Sequence, residues 1–186
     1  MEGWFVPFLP DLNHQNSLVA NYLIQHALWT VEYFGIDAWR IDTYFYNDFE
    51  FMNRCNAALL NEYPDMLIFG ESRVNSVPNQ AYFTLNNMNV PFSCNLPSTV
   101  DFQLYFAFNA ALNENPGWND GVQKLYQVLG QDYLYQKPQN LVTFLDNHDL
   151  DRYLSVISED IDKYKMGMGW LMTLRGIPSM YYGTEI

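Results

Sequence analysis

Apolar side chains recur along the chain either at the three- to four-residue spacing of a helix or in short continuous runs. The first helical stripe consists of Val19, Leu23, Ala27, Val31 and Phe34. It begins after Asn16, a residue type that caps helix N-termini well, and ends before Gly35. The pattern therefore predicts one helix between Asn16 and Gly35.

A second helical stripe lies between Asn47 and Pro64. Asn47 with Glu50 three residues later has the form of a capping box, and the residue before a proline tends to leave the helical conformation. The apolar side of this helix comprises Phe51, Cys55, Ala58 and Leu59. We predict a helix that starts at the Asn47 cap and stops before Pro64.

Continuous apolar runs predict strands buried on both faces. Residues 66–70 and 141–145 are such runs, and residues 178–183 form a further predicted strand. Residues 35–44 alternate between apolar and charged side chains, which also indicates a strand, and residues 99–102 suggest a weaker one.

Other segments complete the pattern. Residues 72–97 are polar and broken by prolines, so we expect a long loop with one short helix. Helices are predicted over residues 104–112, 121–132 and 161–171. Helix and strand thus alternate several times, which predicts an α/β fold with a parallel sheet.

A barrel accounts for this alternation better than an open sheet does. A doubly wound open sheet usually carries a glycine-rich phosphate turn, and no such turn is present in the sequence. We therefore expect part of a (β/α)8 TIM barrel, which keeps its active site at the C-terminal ends of its strands.

Composition narrows the classes of partner. The 186 residues are 49% hydrophobic and carry a net charge of −12, with an isoelectric point near 4.3. Nucleic acids and anionic membrane surfaces need a basic face, so neither is expected as a partner. The two cysteines, Cys55 and Cys94, are too few for a disulfide framework.

No targeting signal is visible, because Met1 is followed by Glu2 and no apolar run approaches the roughly 18 residues of a membrane span. The compartment stays open between periplasm and cytoplasm.

Four charged side chains stand at or after strand ends. Arg40 and Asp42 share one face of their strand, Glu71 follows the 66–70 run directly, and Asp149 follows the 141–145 run. Arg40 with Asp42 by itself also fits a structural ion pair. In a barrel, however, all three carboxylates point towards one pocket.

Two carboxylates in different surroundings can divide into an acid and a nucleophile. Asp42 beside Arg40 is the candidate nucleophile, and Glu71, with Arg73 as its only adjacent cation in the sequence, is the candidate acid. Asp149 could oppose positive charge that develops on a sugar ring, and the neighbouring His148 could bond a hydroxyl.

A metal site is the rival chemistry, because Asp42, Glu71, His148 and Asp149 are all plausible ligands. The sequence lacks a compact ligand spacing, and Arg40 beside a carboxylate would oppose a cation. We therefore expect neither a metal site nor a cofactor in this chain.

Motif by motif, the chain resembles the α-amylase family of glycoside hydrolases, retaining enzymes that act on α-glucans. The motifs that carry the resemblance occur in the family's order, at residues 9–13, 35–44, 69–71, 144–149 and 176–185. The family's usual residues are replaced at Arg73, where tryptophan is frequent, and at Tyr46, where histidine or lysine is frequent.

The resemblance implies roles for individual residues. Asp42 would be the nucleophile, Glu71 the acid/base and Asp149 the stabiliser of the transition state. Substrate binding would fall to Arg40, His148 and Tyr44.

The resemblance also implies the organisation of the chain. Residues 1–13 would close a domain inserted after the third strand, and residues 14–186 would supply about strands four to eight of the barrel. Calcium would be bound, if at all, by parts of the longer protein. The open edges would also allow two copies to pair as a homo-oligomer.

Within the family, the Pro-Asp-Leu-Asn sequence at residues 10–13 and Trp39 point to the neopullulanase and cyclomaltodextrinase group. The expected partners are α-glucan oligosaccharides or polysaccharides, cleaved at α-1,4 bonds. Alternatives are a transglycosylase or an oligo-1,6-glucosidase of the same family, or a relative that only binds carbohydrate.

Overall fold

The computed structural model describes residues 6–185. The first five residues of the predicted segment 1–13, together with Ile186, lie outside this part. The described elements, in chain order, are α1 (Ser17–Phe34), β1 (Ala38–Ile41), α2 (Phe49–Glu62), β2 (Leu67–Gly70), α3 (Val77–Tyr82), β3 (Ser98–Thr99), α4 (Phe102–Asn113), α5 (Gln123–Leu129), β4 (Val142–Thr143), α6 (Tyr153–Val156), α7 (Ile161–Thr173) and β5 (Ile177–Pro178). Helices and strands alternate, as the sequence predicts.

The five strands form a parallel array. β1 pairs with β2, β2 with β3, and β4 with β5, all in parallel. A parallel bridge between Val100 and Val142 joins the two groups, and the Asp101 amide donates to the Val142 carbonyl at 2.8 Å. The predicted α/β fold with a parallel sheet is confirmed.

Helix α1 starts and ends where its sequence predicts, and its buried side overlaps the predicted stripe in part. The Asn16 side chain accepts a hydrogen bond from the Leu18 amide, and Gly35 adopts a left-handed conformation after the last turn. The buried residues are Ala20, Ile24, Ala27 and Val31, whereas Phe34 is exposed. The predicted stripe is therefore confirmed for Ala27 and Val31, and Leu23 packs against the core while partly buried, but the prediction was wrong for Phe34.

Helix α2 begins one residue later than the predicted cap. Asp48 is its N-cap and accepts from the Phe51 amide at 2.8 Å. The Asn47 side chain instead donates back to the carbonyls of Thr43 and Tyr44, at 3.2 and 3.3 Å. It closes the preceding turn, so the capping box with Glu50 does not form.

The C-terminal strand is also displaced from its prediction. β5 comprises Ile177 and Pro178, whereas residues 181–184 form a turn in which the Thr184 amide donates to the Tyr181 carbonyl. The predicted strand over residues 178–183 is right at Pro178 and wrong beyond Ser179. The Ser179 amide makes the last bond to β4, to the Thr143 carbonyl at 2.7 Å, before the chain leaves the sheet for the turn.

Hydrophobic packing divides the core into two large clusters. The first joins α1 and α2 to β1 and β2, and the second joins α4 and α5 to α7. The outermost strands are less covered, because β1 alternates between exposed and half-buried residues and both residues of β5 are exposed. Among residues 6–185, no helix combines the length and hydrophobicity that crossing a bilayer requires.

A buried arginine links the second half of the fold. Arg175, just before β5, donates two hydrogen bonds to the carboxylate of Asp132, at 2.8 and 2.7 Å. Its third nitrogen pairs with Asp101, which is fully buried and also caps α4 through the Leu104 amide. We call Arg175, Asp101 and Asp132 the Arg175 cluster.

Candidate active site

The ends of β1 and β2 bring two candidate residues to one edge of the sheet. Beyond the strands, the Glu71 amide donates to the Ile41 carbonyl at 2.8 Å, and the Tyr44 amide donates to the Glu71 carbonyl at 2.9 Å. The chain between them turns at Thr43, whose φ of 42° lies in the left-handed region. Asp42 and Glu71 therefore follow adjacent parallel strands at their C-terminal ends.

Arg40 contacts both carboxylates. Its Nη1 donates to Asp42 Oδ1 at 2.8 Å, and its Nη2 lies 3.2 Å from Glu71 Oε1. The Thr43 amide donates to the other oxygen, Glu71 Oε2, at 3.1 Å. We call Arg40, Asp42 and Glu71 the Arg40 cluster, and its bridging arginine makes it more than the isolated ion pair that Arg40 and Asp42 alone suggest.

The two carboxylates of this cluster differ strongly in exposure. The Asp42 side chain is 65% exposed, whereas that of Glu71 is 9% exposed. The cation beside Glu71 is Arg40 and not Arg73, because the Arg73 guanidinium lies 5.9 Å from the ring centre of Phe102. Arg73 is the only cation near Glu71 in the sequence, but the pairing of β1 with β2 places Arg40 beside Glu71.

His148 and Asp149 lie in the segment after β4. His148 Nε2 is 3.2 Å from Asp149 Oδ2, and the Asp149 amide donates to Asn147 Oδ1 at 2.9 Å. Both side chains are about half exposed. Within the described residues, no hydrogen bond or ion pair joins them to the Arg40 cluster, so their convergence on one pocket stays a prediction.

Tyr44, predicted to bind substrate, lies in the core. Its side chain is 1% exposed, its hydroxyl accepts from Asn56 Nδ2 at 3.1 Å, and Cys94 Sγ lies 3.6 Å away. Burial raises the pKa of this hydroxyl. The prediction that Tyr44 binds substrate is wrong for its ring, because the chain turns after Asp42 and directs this side chain to Asn56 of α2 in the core, where no substrate can reach it.

The segment after Thr43 lines a cavity of about 740 Å³. Its wall includes Tyr46 and Asn47 from this segment, Phe92 from the long loop, and Asp11 and Asn13 from the start of the described chain. Rings beside amides and carboxylates can contact the apolar faces and hydroxyl groups of a sugar. Residues 6–185 bring together no group of three or more His, Cys, Asp or Glu side chains that could hold a metal ion.

The sequence reasoning assigned no role to Asp146 and Arg152, which flank His148 and Asp149. Asp146 is 2% exposed, and Arg152 Nε lies 3.3 Å from one of its carboxylate oxygens. A carboxylate that ends a buried apolar run was the available signal for Asp146. No local signal identified Arg152, because its partners other than Asp146 lie some 30 residues further along the chain.

Comparison with known proteins shows which family and which relatives the sequence is similar to. Residues 3–186 match the family described as alpha amylase, catalytic domain. The cyclomaltodextrinase of Geobacillus thermopakistaniensis (strain MAS1) is 30% identical over 184 residues, which cover 98% of this chain and 29% of that protein. The cyclomaltodextrin glucanotransferase of Bacillus sp. (strain 17-1) is 30% identical over 181 residues, which cover 95% of this chain and 23% of that protein.

A solved structure agrees with the sequence relatives. The α-amylase from Geobacillus thermoleovorans, determined in complex with acarbose, aligns with a TM-score of 0.83 at 30% identity and covers 98% of this chain and 40% of that one. The chain thus spans less than a third of the length of the two curated relatives. The predicted group fits these findings, since a cyclomaltodextrinase is among the relatives.

Proposed function

Because this chain belongs to the α-amylase catalytic-domain family, we propose that the protein containing it is a retaining α-glucan hydrolase that cleaves α-1,4-glucosidic bonds. The observation that carries the proposal is the Arg40 cluster, in which one guanidinium contacts two carboxylates of unequal exposure. Retaining glycosidases need a pair of neighbouring carboxylates in different surroundings, one as nucleophile and one as acid/base.

The exposed carboxylate is the proposed nucleophile. Asp42 attacks the anomeric carbon and forms a covalent glycosyl ester, while the nearly buried Glu71 gives its proton to the departing glycosidic oxygen. Glu71 then takes a proton from water as that water attacks the anomeric carbon, and the ester bond to Asp42 breaks. Arg40 keeps the Asp42 carboxylate oriented, since its Nη1 donates at 2.8 Å.

Asp149 and His148 have the complementary roles in the proposal. Asp149 opposes positive charge that develops on the sugar ring in the transition state, and His148 bonds a sugar hydroxyl. The cavity beside Tyr46 is not lined by the Arg40 cluster, but its rings and amides could contact a more distant part of an extended substrate. The expected substrates are neutral α-glucan oligosaccharides or polysaccharides, which the acidic chain does not repel.

We further propose that β1 to β5 are strands four to eight of the barrel, and that residues 1–13 close a domain inserted after strand three. The exposed residues of β1 and β5 support this, since a complete barrel has no open sheet edge. The 65% exposure of Asp42 would fall once the remaining strands enclose the site. The isolated chain should accordingly be poorly active.

A transglycosylase is the second candidate, favoured by the glucanotransferase relative at the same identity as the cyclomaltodextrinase. Both reactions share the covalent intermediate on Asp42 and differ in whether water or a sugar hydroxyl resolves it. Product analysis distinguishes them, because transfer yields longer or cyclic glucans without a matching number of new reducing ends.

The test uses the full-length protein with β-cyclodextrin, soluble starch and pullulan as substrates. Release of reducing sugar should fall on the order of 10⁴-fold or more in Asp42→Asn, because the covalent route loses its nucleophile. Asp65→Asn, an exposed aspartate in the turn before β2, is the matched control and should keep full activity. Activity of Asp42→Asn comparable to that of the control would refute the proposed mechanism.

A further inference from the structure

The segment that carries His148 and Asp149 is held at both ends by one set of side chains. Asp146 precedes the pair and Arg152 follows it, and Arg152 Nε lies 3.3 Å from Asp146 Oδ2. The other side of this contact is the turn at residues 181–184. The two candidate residues thus stand in a loop whose ends are tied together.

The turn at residues 181–184 is bonded to both ends of the loop. Arg152 Nη2 donates to the Tyr182 carbonyl at 2.9 Å and to the Thr184 hydroxyl at 3.2 Å. The Thr184 hydroxyl in turn donates to Asp146 Oδ1 at 2.6 Å. Asp146, Arg152 and Thr184 therefore form a closed ring of three contacts, which we call the Arg152 clamp.

Neighbouring groups fix the clamp in place. The second oxygen of Asp146 also accepts from the Tyr153 amide at 2.9 Å, and Tyr164 donates to the Thr184 carbonyl at 2.7 Å. The Arg152 guanidinium lies 4.9 Å from the ring centre of Tyr181. A planar guanidinium can make all these contacts at once, whereas a lysine ammonium cannot.

The residues of the clamp are less exposed to solvent than the two candidate residues in the loop. Asp146 and Thr184 are buried, whereas His148 and Asp149 are about half exposed. Apart from their mutual contact and the bond from the Asp149 amide to Asn147, no hydrogen bond within residues 6–185 fixes these two residues. Their orientation therefore depends on the ends of their loop.

We propose that Arg152 is a positioning residue that, through Asp146 and Thr184, sets the geometry of Asp149 towards the substrate. This inference rests on the proposed hydrolase function and adds a residue to it. Displacing a catalytic group by about 1 Å costs on the order of 10²-fold in rate. Loss of the clamp should hence act on the chemical step and leave ground-state binding largely intact.

The experiment measures kcat and KM of the full-length protein with an aryl α-maltoside, whose good leaving group keeps weak variants measurable. We expect Arg152→Ala to lower kcat on the order of 10²-fold with a smaller change in KM. Arg152→Lys should recover part of the loss, because it keeps a charge near Asp146 but not both bonds to the turn. Thr184→Val, which removes one corner of the ring, should lower kcat in the same direction and serves if Arg152→Ala does not fold.

A double-mutant cycle identifies the residue through which Arg152 acts. In an Asp149→Asn background, Arg152→Ala should have little further effect on kcat, because the group it positions is already disabled. Arg54→Ala, on the outer side of α2 where Arg54 contacts Asn21, is the matched arginine control and should leave kcat unchanged. Equal fold-losses in both backgrounds would overturn the inference.

The experiments distinguish a failure of the positioning role of Arg152 from a failure of the hydrolase proposal. If Asp42→Asn is inactive but Arg152→Ala retains kcat within about twofold of the unaltered protein, the positioning role is refuted and the hydrolase proposal stands. If Asp42→Asn retains activity, the hydrolase proposal itself fails, and with it the basis for this role of Arg152.

Discussion

Two clusters in this molecule have the same composition, one arginine between two carboxylates, and opposite surroundings. In the Arg175 cluster, Asp101 is fully buried and Asp132 receives two parallel bonds from the guanidinium. In the Arg40 cluster, each carboxylate receives a single contact from the guanidinium, and Asp42 is mostly exposed.

The remaining hydrogen bonds of the Arg175 cluster are also made within the fold. The second oxygen of Asp101 accepts from the Leu104 amide and from Gln80, which also donates to Tyr135. Burial would lower the pKa of Arg175, but its hydrogen bonds to Asp132 and the attraction of Asp101 raise it overall.

Composition alone therefore does not separate a structural ion cluster from a functional one. The Arg175 cluster is closed, since its carboxylates use their oxygens on partners within the fold. The Arg40 cluster leaves a carboxylate turned towards solvent, where a ligand can approach. Completeness of hydrogen bonding and exposure distinguish them, and both can be tested by mutation.

The largest expected effect on stability comes from removing the buried arginine. Arg175→Ala should lower the free energy of unfolding by about 3–5 kcal/mol, because the fully buried Asp101 would remain as an unpaired charge and the partly buried Asp132 would lose both bonds from the guanidinium. Urea denaturation of the full-length protein measures the change. The milder variant Asp132→Asn, which keeps the shape, should lose less, and Arg54→Ala should lose almost nothing.

A loss below about 1 kcal/mol in Arg175→Ala would contradict the structural interpretation of this cluster. It would mean that Asp101 and Asp132 find water or protons as easily as the exposed Asp42 does.

A smaller stability effect with a larger activity effect is expected at the other arginine. Arg40→Ala should cost about 1–2 kcal/mol, since Glu71 keeps its bond from the Thr43 amide and Asp42 is already solvated. Activity should fall on the order of 10²-fold, because Asp42, the proposed nucleophile, loses its orientation. Denaturation and kinetics on the same preparation provide both numbers, and a loss of stability as large as that of Arg175→Ala would erase the distinction between the clusters.

The smallest effect concerns pH, which should act on stability through buried groups. Burial raises the pKa of the Cys55 thiol from 9.0 to about 11. The unfolded chain loses this proton above about pH 9 while the folded protein keeps it, so stability falls as the pH rises from 9 towards 11. At pH 10 this term should amount to about 1 kcal/mol.

The measurement compares the pH dependence of unfolding for Cys55→Ala with that of the unaltered protein. The variant is expected to be less stable at pH 7, because it leaves a small cavity, but to lose less between pH 9 and pH 11. Parallel curves would show that the thiol does not contribute to the alkaline loss.

Local patterns in the sequence predicted much of the fold. The cap at Asn16, the end of α1 at Gly35 and the end of α2 before Pro64 all depend on neighbouring residues, and the structure has them as predicted. The shift of the α2 cap from Asn47 to Asp48 came from the turn at Thr43, which takes up the Asn47 side chain. A local pattern could not reveal that competition.

Local patterns in the sequence were enough to identify the residues at the strand ends, including Arg40, Asp42 and Glu71, and the family that the chain resembles. The contact of Arg40 with Glu71, the buried position of Tyr44 and the ring that Arg152 closes with Thr184 became visible only in the folded chain. Strand ends follow from local hydrophobic patterns, whereas contacts between side chains some 30 residues apart depend on how the strands pair and how tightly the core packs.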